Sequence, residues 1–287
     1  MRVLVIGHQG QLGSSLVDVI ERNHGLAVLG IDYPDIDITD RASTELVFGG
    51  FEPDIVVNCA AYTAVDDAEE NEDAAMAVNG LGPRIVAEEC RKAGAWMVHV
   101  STDYVFDGSA TTPYPEDAEP SPASAYGRTK LAGERAVQEL LPESHYLVRT
   151  AWLYGLRGSN FVKTMLRLEK ERDTVSVVTD QLGQPTYAHD LAEQIVRLID
   201  LRPHPGTFHG TNSGETSWYE FTREIFRLAG ADPDRVLPTT SAEFVRPAPR
   251  PAYSVLGHDA WAAAGIPEMR PWREALEDAF TAGIGSS

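Results

Sequence analysis

Residues 3–13 read VLVIGHQGQLG: a short apolar run leads into three glycines, Gly7, Gly10 and Gly13. The apolar run predicts a strand, and residues 11–22 then repeat apolar side chains at the three-and-four spacing of a helix. Glycines in such a turn let backbone N–H groups approach a pyrophosphate, and the N-terminus of the helix adds partial positive charge. We therefore predict a dinucleotide site that includes Gly7, Gly10, Gln11, Leu12 and Gly13. A glycine turn that only packs the strand against the helix is the alternative.

The same alternation of apolar runs and helical periodicity continues to about residue 150. Further strands are predicted over 27–31, 54–58, 96–100 and 146–148, with helices over 74–93 and 130–140. Strands separated by helices pair in parallel through right-handed crossovers. The predicted fold class is therefore α/β, a doubly wound Rossmann-type parallel sheet with helices on both faces.

The chain is predicted to divide into two parts. Residues 1–150 form the dinucleotide-binding Rossmann domain, and residues 151–287 form mainly a smaller α/β substrate-binding lobe. In this second part the rhythm loosens, with helices predicted over 161–170 and 190–199 and a strand over 175–178. Ligands of such sheets bind at the carboxyl ends of the strands, so we expect the lobe to cover that edge. Some of its segments are expected to return to the first domain.

The composition describes a strongly acidic chain. Its 24 basic and 43 acidic side chains give a formal net charge of −19 over 287 residues. Such a surface repels nucleic-acid phosphates and anionic lipids, so neither nucleic acid nor a membrane is an expected partner. Cys59 and Cys90 are too few for a disulfide framework and indicate free thiols in a reducing compartment. Because no apolar run reaches the roughly 18 residues of a membrane span and no secretory signal is recognisable, we expect a cytoplasmic protein.

Asp32 stands at the end of the predicted second strand, 19 residues beyond Gly13. An acidic side chain at this place accepts hydrogen bonds from an adenosine ribose and repels a 2′-phosphate. No lysine or arginine occurs in the following residues 33–37. This pattern favours NADH over NADPH. The alternative is that Asp32, Asp35 and Asp37 only form a polar loop.

Tyr126 and Lys130 stand four residues apart at the head of a predicted helix, which places both side chains on one face. An ammonium beside a phenol favours phenolate, so we expect Lys130 to lower the pKa of Tyr126 from about 10 toward neutrality. Thr102 follows the fourth predicted strand, at the edge of the sheet where ligands bind. A ketone oxygen develops negative charge during reduction; Tyr126 would protonate it while Thr102 donates a hydrogen bond. The three residues predict reduction of a ketone to an alcohol by hydride transfer from a nicotinamide.

Four segments closely resemble the dTDP-4-dehydrorhamnose reductase family, in the extended branch of the short-chain dehydrogenase/reductase superfamily. They are VNCAAYTAVD over 57–66, STDYVFDG over 101–108, YGRTKLAGE over 126–134 and DQLGQPT over 180–186. The glycine spacing also agrees with that branch, and the likeness extends from Met1 to about Leu256. It implies that Thr102, Tyr126 and Lys130 reduce the C4 ketone of dTDP-4-dehydro-β-L-rhamnose with NADH or NADPH, which gives dTDP-L-rhamnose.

The resemblance also implies which residues bind the cofactor and the dTDP-sugar. Besides the glycine turn and Asp32, the implied cofactor contacts are Ala60, Ala61, Tyr62 and Lys130. The implied substrate contacts are Thr102, Asp103, Tyr126, Trp152, Asn160 and Arg250. Arg250 suits this role on chemical grounds as well, because a guanidinium binds a diphosphate through paired hydrogen bonds.

Two positions depart from the family pattern. Some members pair through magnesium held by glutamates in the first helix and before the helix that follows Pro-Thr. This chain has Ser15 and His189 at the matching positions, so we predict no metal site and leave a homodimer open. The second departure is the pair Asp32-Tyr33, where many relatives carry a basic residue.

Other readings of the same residues remain open. A dehydratase of the superfamily has an Asp-Glu pair after the threonine, whereas this chain has Asp103-Tyr104; an epimerase generally has serine in place of Thr102. The chain also resembles the β subunit of methionine adenosyltransferase, a regulatory protein with this fold. A reductase of another dTDP-4-keto-6-deoxy sugar is the nearest alternative. Trp218, Tyr219 and Phe221 are expected to pack in the core, and His204 and His209 to be structural.

Overall fold

A computed structural model of the protein describes residues 1–22 and 25–285. The strands are β1 Arg2–Ile6, β2 Ala27–Ile31, β3 Ile55–Asn58, β4 Trp96–Thr102, β5 His145–Thr150, β6 Leu153–Tyr154, β7 Val175–Val178, β8 Leu182–Gly183, β9 Thr186–Tyr187, β10 Gly206–His209, β11 Thr216–Ser217 and β12 Val236–Thr239. The helices are α1 Gln11–Arg22, α2 Arg41–Phe51, α3 Glu72–Met76, α4 Gly82–Ala93, α5 Ala125–Leu140, α6 Phe161–Glu171, α7 Ala188–Leu201, α8 Trp218–Leu228, α9 Asp259–Ala263 and α10 Trp272–Thr281.

Six parallel strands form the central sheet, in the order β2-β1-β3-β4-β5-β10. The chain passes from β1 to β2 on one side and then returns to β3 on the other side of β1. The strand order therefore reverses between β1 and β3, which is where open α/β sheets bind ligands. This arrangement confirms the predicted doubly wound fold class.

Both faces of the sheet are covered by helices. Along β1, Val3 and Val5 pack with residues of α1 and α7, whereas Leu4 and Ile6 pack with residues of α4 and α5 on the opposite face. Successive side chains of a strand point to opposite faces, so a continuous apolar run such as residues 3–6 is buried on both. The four side chains are at most 1% exposed.

The helix predicted over 74–93 is divided in the structure. Between α3 and α4, residues Ala77–Leu81 form a π-helical turn. Pro83 follows at the start of α4 and has no backbone N–H, so it cannot donate the helical bond to the carbonyl of Asn79. In contrast, α1 and β7 have the bounds that the sequence predicts.

A second apolar core lies in the later part of the chain. It is built by α6, α8 and α10 with β7 and β12, and includes Val162, Phe221, Ile225, Val236 and Leu276. The same part of the chain also contributes β10 to the central sheet and α7 to the layer beside α1. The boundary between two domains at residue 150 stays a prediction. Within residues 1–22 and 25–285, no helix combines the length and apolar character needed to cross a bilayer.

Candidate active site

A cleft of about 760 Å³ opens at the carboxyl ends of the central strands. Thirteen of the residues predicted from the sequence line it: Gly7, Gly10, Gln11, Leu12, Gly13, Asp32, Ala60, Ala61, Thr102, Asp103, Tyr126, Lys130 and Trp152. Its walls are therefore shared by the glycine turn, the Thr-Tyr-Lys set and the start of the later part of the chain. Such a cleft at the reversal of strand order has the place and size of a dinucleotide and substrate site.

The glycine turn is packed too tightly for other residues. Gly7 has a φ of +83°, and a Cβ on it would lie 2.7 Å from the backbone nitrogen of Ala60. A Cβ on Gly13 would lie 2.1 Å from the carbonyl oxygen of Gly7. The absence of side chains thus leaves bare backbone at the N-terminus of α1. A dinucleotide pyrophosphate fits such a cradle, because it needs close approach to backbone N–H groups.

Asp32 directly follows the neighbouring strand β2 and lines the same cleft. Its two carboxylate oxygens accept hydrogen bonds from the backbone nitrogens of Gln9, at 3.0 Å, and Tyr33, at 2.9 Å. Asp37 also lines this end, and among the described lining residues the only cation is Lys130, near Tyr126. This part of the cleft is therefore negative, which disfavours binding of a phosphate there.

Thr102 and Tyr126 meet where β4 ends and α5 begins. Thr102 donates a 2.9 Å hydrogen bond to Asp103 and accepts one of 3.2 Å from the backbone nitrogen of Tyr104. Ser124 caps α5 by accepting a hydrogen bond from the backbone nitrogen of Gly127, which fixes the start of the helix at Ala125. This cap sets the positions of Tyr126 and of Lys130 one turn later.

The predicted lowering of the Tyr126 pKa is wrong for this structure. Burial of the phenol raises its pKa well above the usual value, and the negative charge of Asp103 adds to the rise, while hydrogen bonding with Thr102 opposes it. Lys130 instead directs its ammonium to the carbonyl oxygen of Val100, at 2.7 Å. Tyr126 therefore keeps its proton, which is the state that a proton donor needs.

Lys130 and Asp103 are buried ionisable groups that line the same cleft as Tyr126. Burial lowers the pKa of Lys130 to about 8, although the nearby Glu134 and Cys59 favour its charged form. Burial also raises the pKa of Asp103 to about 6, against hydrogen bonds from Ser254 and Thr102 that favour the carboxylate. Both groups thus change charge within two pH units of neutrality, as is typical of functional sites.

Two hydroxyls that the sequence reasoning missed also line the cleft. Ser101 on β4 and Thr150 on β5 have buried hydroxyl oxygens without a hydrogen-bond partner among the described residues. A buried polar group without a partner is costly, so these hydroxyls are available to a ligand. Both residues stand at the carboxyl ends of central strands, and this position is the sequence signal that points to them. Tyr33 and the loop over 36–39 were missed as well.

The comparisons with known proteins agree with this geometry. Residues 1–283 match the family model described as the RmlD substrate binding domain. A dTDP-4-dehydrorhamnose reductase of Streptomyces griseus is 50% identical over 288 residues, which cover 99% of this chain and 94% of the relative. The chain belongs to the dTDP-4-dehydrorhamnose reductase family. A crystal structure of a dTDP-4-dehydrorhamnose reductase from Bacillus anthracis in complex with NADP has a TM-score of 0.94 and 42% identity, and the match covers 98% of this chain and 99% of that one.

A second curated relative carries a different name. The dTDP-4-keto-6-deoxy-D-glucose reductase of Streptomyces niveus is 51% identical over 279 residues, with 97% of this chain and 96% of the relative covered. Relatives named for two different sugars are thus about equally similar to this chain. Membership of the dTDP-4-dehydrorhamnose reductase family therefore indicates the type of reaction, but it does not identify which hexose of the dTDP-sugar is reduced.

Three residues that the family resemblance assigns to ligands do not line the cleft. Tyr62 exchanges backbone hydrogen bonds with the Asn79 amide, of 2.8 and 3.1 Å. Asn160 caps α6 by accepting from the Lys163 nitrogen, and its amide nitrogen donates to a backbone carbonyl. Arg250 pairs with Asp66 at 3.0 Å. Their roles as ligand contacts stay predictions for this member of the dTDP-4-dehydrorhamnose reductase family.

The two positions that depart from the family's magnesium pattern have local partners. Ser15 donates a 3.0 Å hydrogen bond to the carbonyl of Gln11 within α1, and His189 lies 3.6 Å from Glu193 within α7. Over residues 1–22 and 25–285, no group of three or more His, Cys, Asp or Glu side chains is arranged to hold a metal ion.

Proposed function

We propose that this protein reduces the C4 ketone of dTDP-4-dehydro-β-L-rhamnose to an alcohol, giving dTDP-L-rhamnose. The single observation that carries the proposal is the common cleft of the glycine turn and of Thr102, Tyr126 and Lys130, in a member of the reductase family. A regulatory subunit has no need of this set at the wall of a dinucleotide cradle. A dehydratase would need a second carboxylate where this chain has Tyr104.

The surroundings of Tyr126, Thr102 and Lys130 suit each of them to a separate role in the reduction. Tyr126 is protonated at neutral pH, so its phenol donates a proton to the ketone oxygen as that oxygen gains negative charge. Thr102 donates a hydrogen bond to the same oxygen when its present bond to Asp103 is exchanged. Lys130 carries positive charge below its pKa of about 8 and would hold the ribose hydroxyls on the nicotinamide side of the cofactor. A reduced nicotinamide, when bound, supplies the hydride.

The residues of the cleft fit a nicotinamide dinucleotide. The glycine turn lines the cleft and offers backbone N–H groups to the pyrophosphate, and the same cleft is lined by Asp32 and Tyr126, which this proposal places at the adenosine and nicotinamide ends of the dinucleotide. We further propose NADH as the preferred cofactor, because Asp32 and Asp37 place negative charge where NADPH carries its phosphate. The Bacillus anthracis relative was solved in complex with NADP, so the proposed preference for NADH rests on the residues of this chain and not on that relative.

One comparison supports a different hexose in the dTDP-sugar substrate. The Streptomyces niveus relative is named for dTDP-4-keto-6-deoxy-D-glucose and is 51% identical to this chain. In this proposal Thr102 and Tyr126 act on the ketone oxygen and Lys130 acts on the cofactor, so the Thr-Tyr-Lys set does not distinguish the configurations of the other hexose carbons. The alternative substrate is therefore another dTDP-4-keto-6-deoxy sugar.

The proposal is tested by measuring oxidation of NADH and of NADPH with a panel of dTDP-4-keto-6-deoxyhexoses. We expect the highest kcat/KM with dTDP-4-dehydro-β-L-rhamnose and NADH. Higher kcat/KM with a different hexose would assign the alternative substrate. Absence of turnover with every sugar, by a protein that binds the cofactor, would refute a reductase.

A further inference from the structure

Trp152 is held in an unusual backbone conformation at the wall of the cleft. It lies between β5 and β6, and its φ is +46°, in the left-handed region that non-glycine residues seldom occupy. Its carbonyl oxygen accepts a 3.2 Å hydrogen bond from the backbone nitrogen of Thr186. Strain of this kind persists only where the surrounding structure holds the residue in place, and it is concentrated at ligand sites. The backbone of Trp152 is therefore held in a defined position at the wall of the cleft.

Trp218 supports this wall from the later part of the chain. The two indoles stack with their centroids 3.6 Å apart and their planes 12° apart. Phe161 packs against Trp218 in turn, at 4.3 Å between centroids. Trp218 is partly buried and packs against the second apolar core, as the sequence predicts, and it also contacts a residue of the cleft. Stacking on Trp218 occupies one face of the Trp152 indole.

Gly183 packs closely against the edge of the Trp152 indole. A Cβ on Gly183 would lie 2.6, 2.7 and 2.9 Å from atoms Cε2, Cζ2 and Nε1 of the Trp152 ring. Any larger residue would push the indole from its place. Gly183 on β8 also pairs with Thr216 on β11, and β11 leads directly into Trp218. One short ladder thus positions both neighbours of the indole.

We propose that Gly183 and Trp218 are positioning residues for the hexose: together they fix the Trp152 indole as the surface against which the sugar ring packs. This inference rests on the proposed function, since it assumes a dTDP-hexose in the cleft. The apolar C–H face of a 6-deoxyhexose is the part of the ligand that an indole contacts best. Gly183 and Trp218 do not themselves line the cleft, so the inference predicts that they affect binding of the hexose through Trp152 and leave binding of the nucleotide and of the cofactor unchanged.

The test measures the affinities of dTDP-L-rhamnose, dTDP and NADH by calorimetry, with Gly183→Ala, Trp218→Leu and Trp218→Phe. The affinity ratio of dTDP-L-rhamnose to dTDP isolates the contribution of the hexose. We expect Gly183→Ala and Trp218→Leu to lower this ratio by about tenfold, with dTDP and NADH affinities within about twofold of wild type. Trp218→Phe keeps an aromatic stack and should lower the ratio less. Gly49→Ala in α2 is the matched control, because its Cβ would meet no described atom within 4 Å.

The outcomes are distinct. An unchanged ratio in folded Gly183→Ala or Trp218→Leu would overturn the inference, and so would an equal loss of NADH binding. If Gly183→Ala does not fold, the affinity ratios of Trp218→Leu and Trp218→Phe test the inference: equal ratios in the two variants would overturn it. Failure of the wild-type protein to reduce any sugar would refute the proposed function, whereas the binding ratio would still test how the indole is positioned.

Discussion

The Lys130 ammonium donates a 2.7 Å hydrogen bond to the carbonyl oxygen of Val100. Val100 stands two residues before Thr102 on β4, and Lys130 stands one helical turn after Tyr126 on α5. This single contact therefore ties the helix that carries the phenol to the strand that carries the hydroxyl. Because Lys130 is only 2% exposed, water does not compete for the bond.

We expect the Lys130 ammonium to set the alkaline limb of the pH–activity profile, that is, the fall of kcat/KM at high pH. Its pKa of about 8 means that the ammonium is charged below pH 8 and neutral above. We expect kcat/KM for the nicotinamide cofactor to fall as the pH rises through about 8. Lys130→Met should lower kcat/KM by roughly a hundredfold and abolish the limb, since no charge remains to be lost. The measurement is the pH profile of both proteins between pH 6 and 10 at fixed ionic strength, with Lys92→Met as the control at an exposed site. An alkaline limb that persists in Lys130→Met would assign the titration to another group.

Tyr126→Phe should remove most of the turnover and leave binding of the nucleotide sugar nearly intact. The change deletes the proton donor and hardly alters the volume of the side chain. General acids of this kind contribute about 10² to 10⁴ to the rate, so kcat should fall by that factor while KM changes little. Tyr219→Phe removes a phenolic hydroxyl outside the cleft and should leave kcat unchanged. Full activity of Tyr126→Phe would exclude the mechanism.

Asp32→Ala should raise the use of NADPH relative to NADH. The change removes a negative charge from the ribose end of the cleft, and we expect the ratio of kcat/KM values to shift toward NADPH by about tenfold. It also removes the acceptor of the Gln9 nitrogen, so Asp32→Asn, which keeps an acceptor, separates the charge from the hydrogen bond. Asp35→Ala, an exposed position outside the cleft, is the matched control. An unaltered ratio would show that the ribose is recognised elsewhere.

The features that the sequence predicts correctly are those set by local rules. A Cβ on Gly13 would collide with the carbonyl oxygen of Gly7, so the turn accepts no other residue and its pattern is informative. Tyr126 and Lys130 share a helix face because of the helical period alone. Apolar runs predict five of the six central strands, because a strand buried on both faces requires such a run, whereas β10 has the sequence GTFH and was missed.

The features that the sequence does not reveal depend on long-range packing. Burial raises the pKa of the Tyr126 phenol, but the depth of a side chain is not visible in its neighbours along the chain. The stack of Trp152 on Trp218 joins two segments with no common periodicity. The amide of Asn160 is engaged in capping α6, a use that competes with ligand contact. In each case the partner lies in another element or depends on where an element begins.

Glu134→Gln should destabilise the protein strongly and shift its pH profile. Glu134 on α5 and Arg149 on β5 form a paired contact of 3.0 and 2.8 Å, with side chains only 1% and 4% exposed. Removing one charge leaves the other buried without its partner, which costs about 3 to 5 kcal/mol in the free energy of unfolding. Because Glu134 also raises the pKa of Lys130, its loss should move the alkaline limb to lower pH. The control is Glu139→Gln on the same helix: it breaks an exposed pair with Arg84 and should cost at most about 1 kcal/mol. Urea denaturation measures the free energy of unfolding of the two variants. Similar small losses in Glu134→Gln and Glu139→Gln would mean that apolar contacts, and not the buried pair, hold α5 in place.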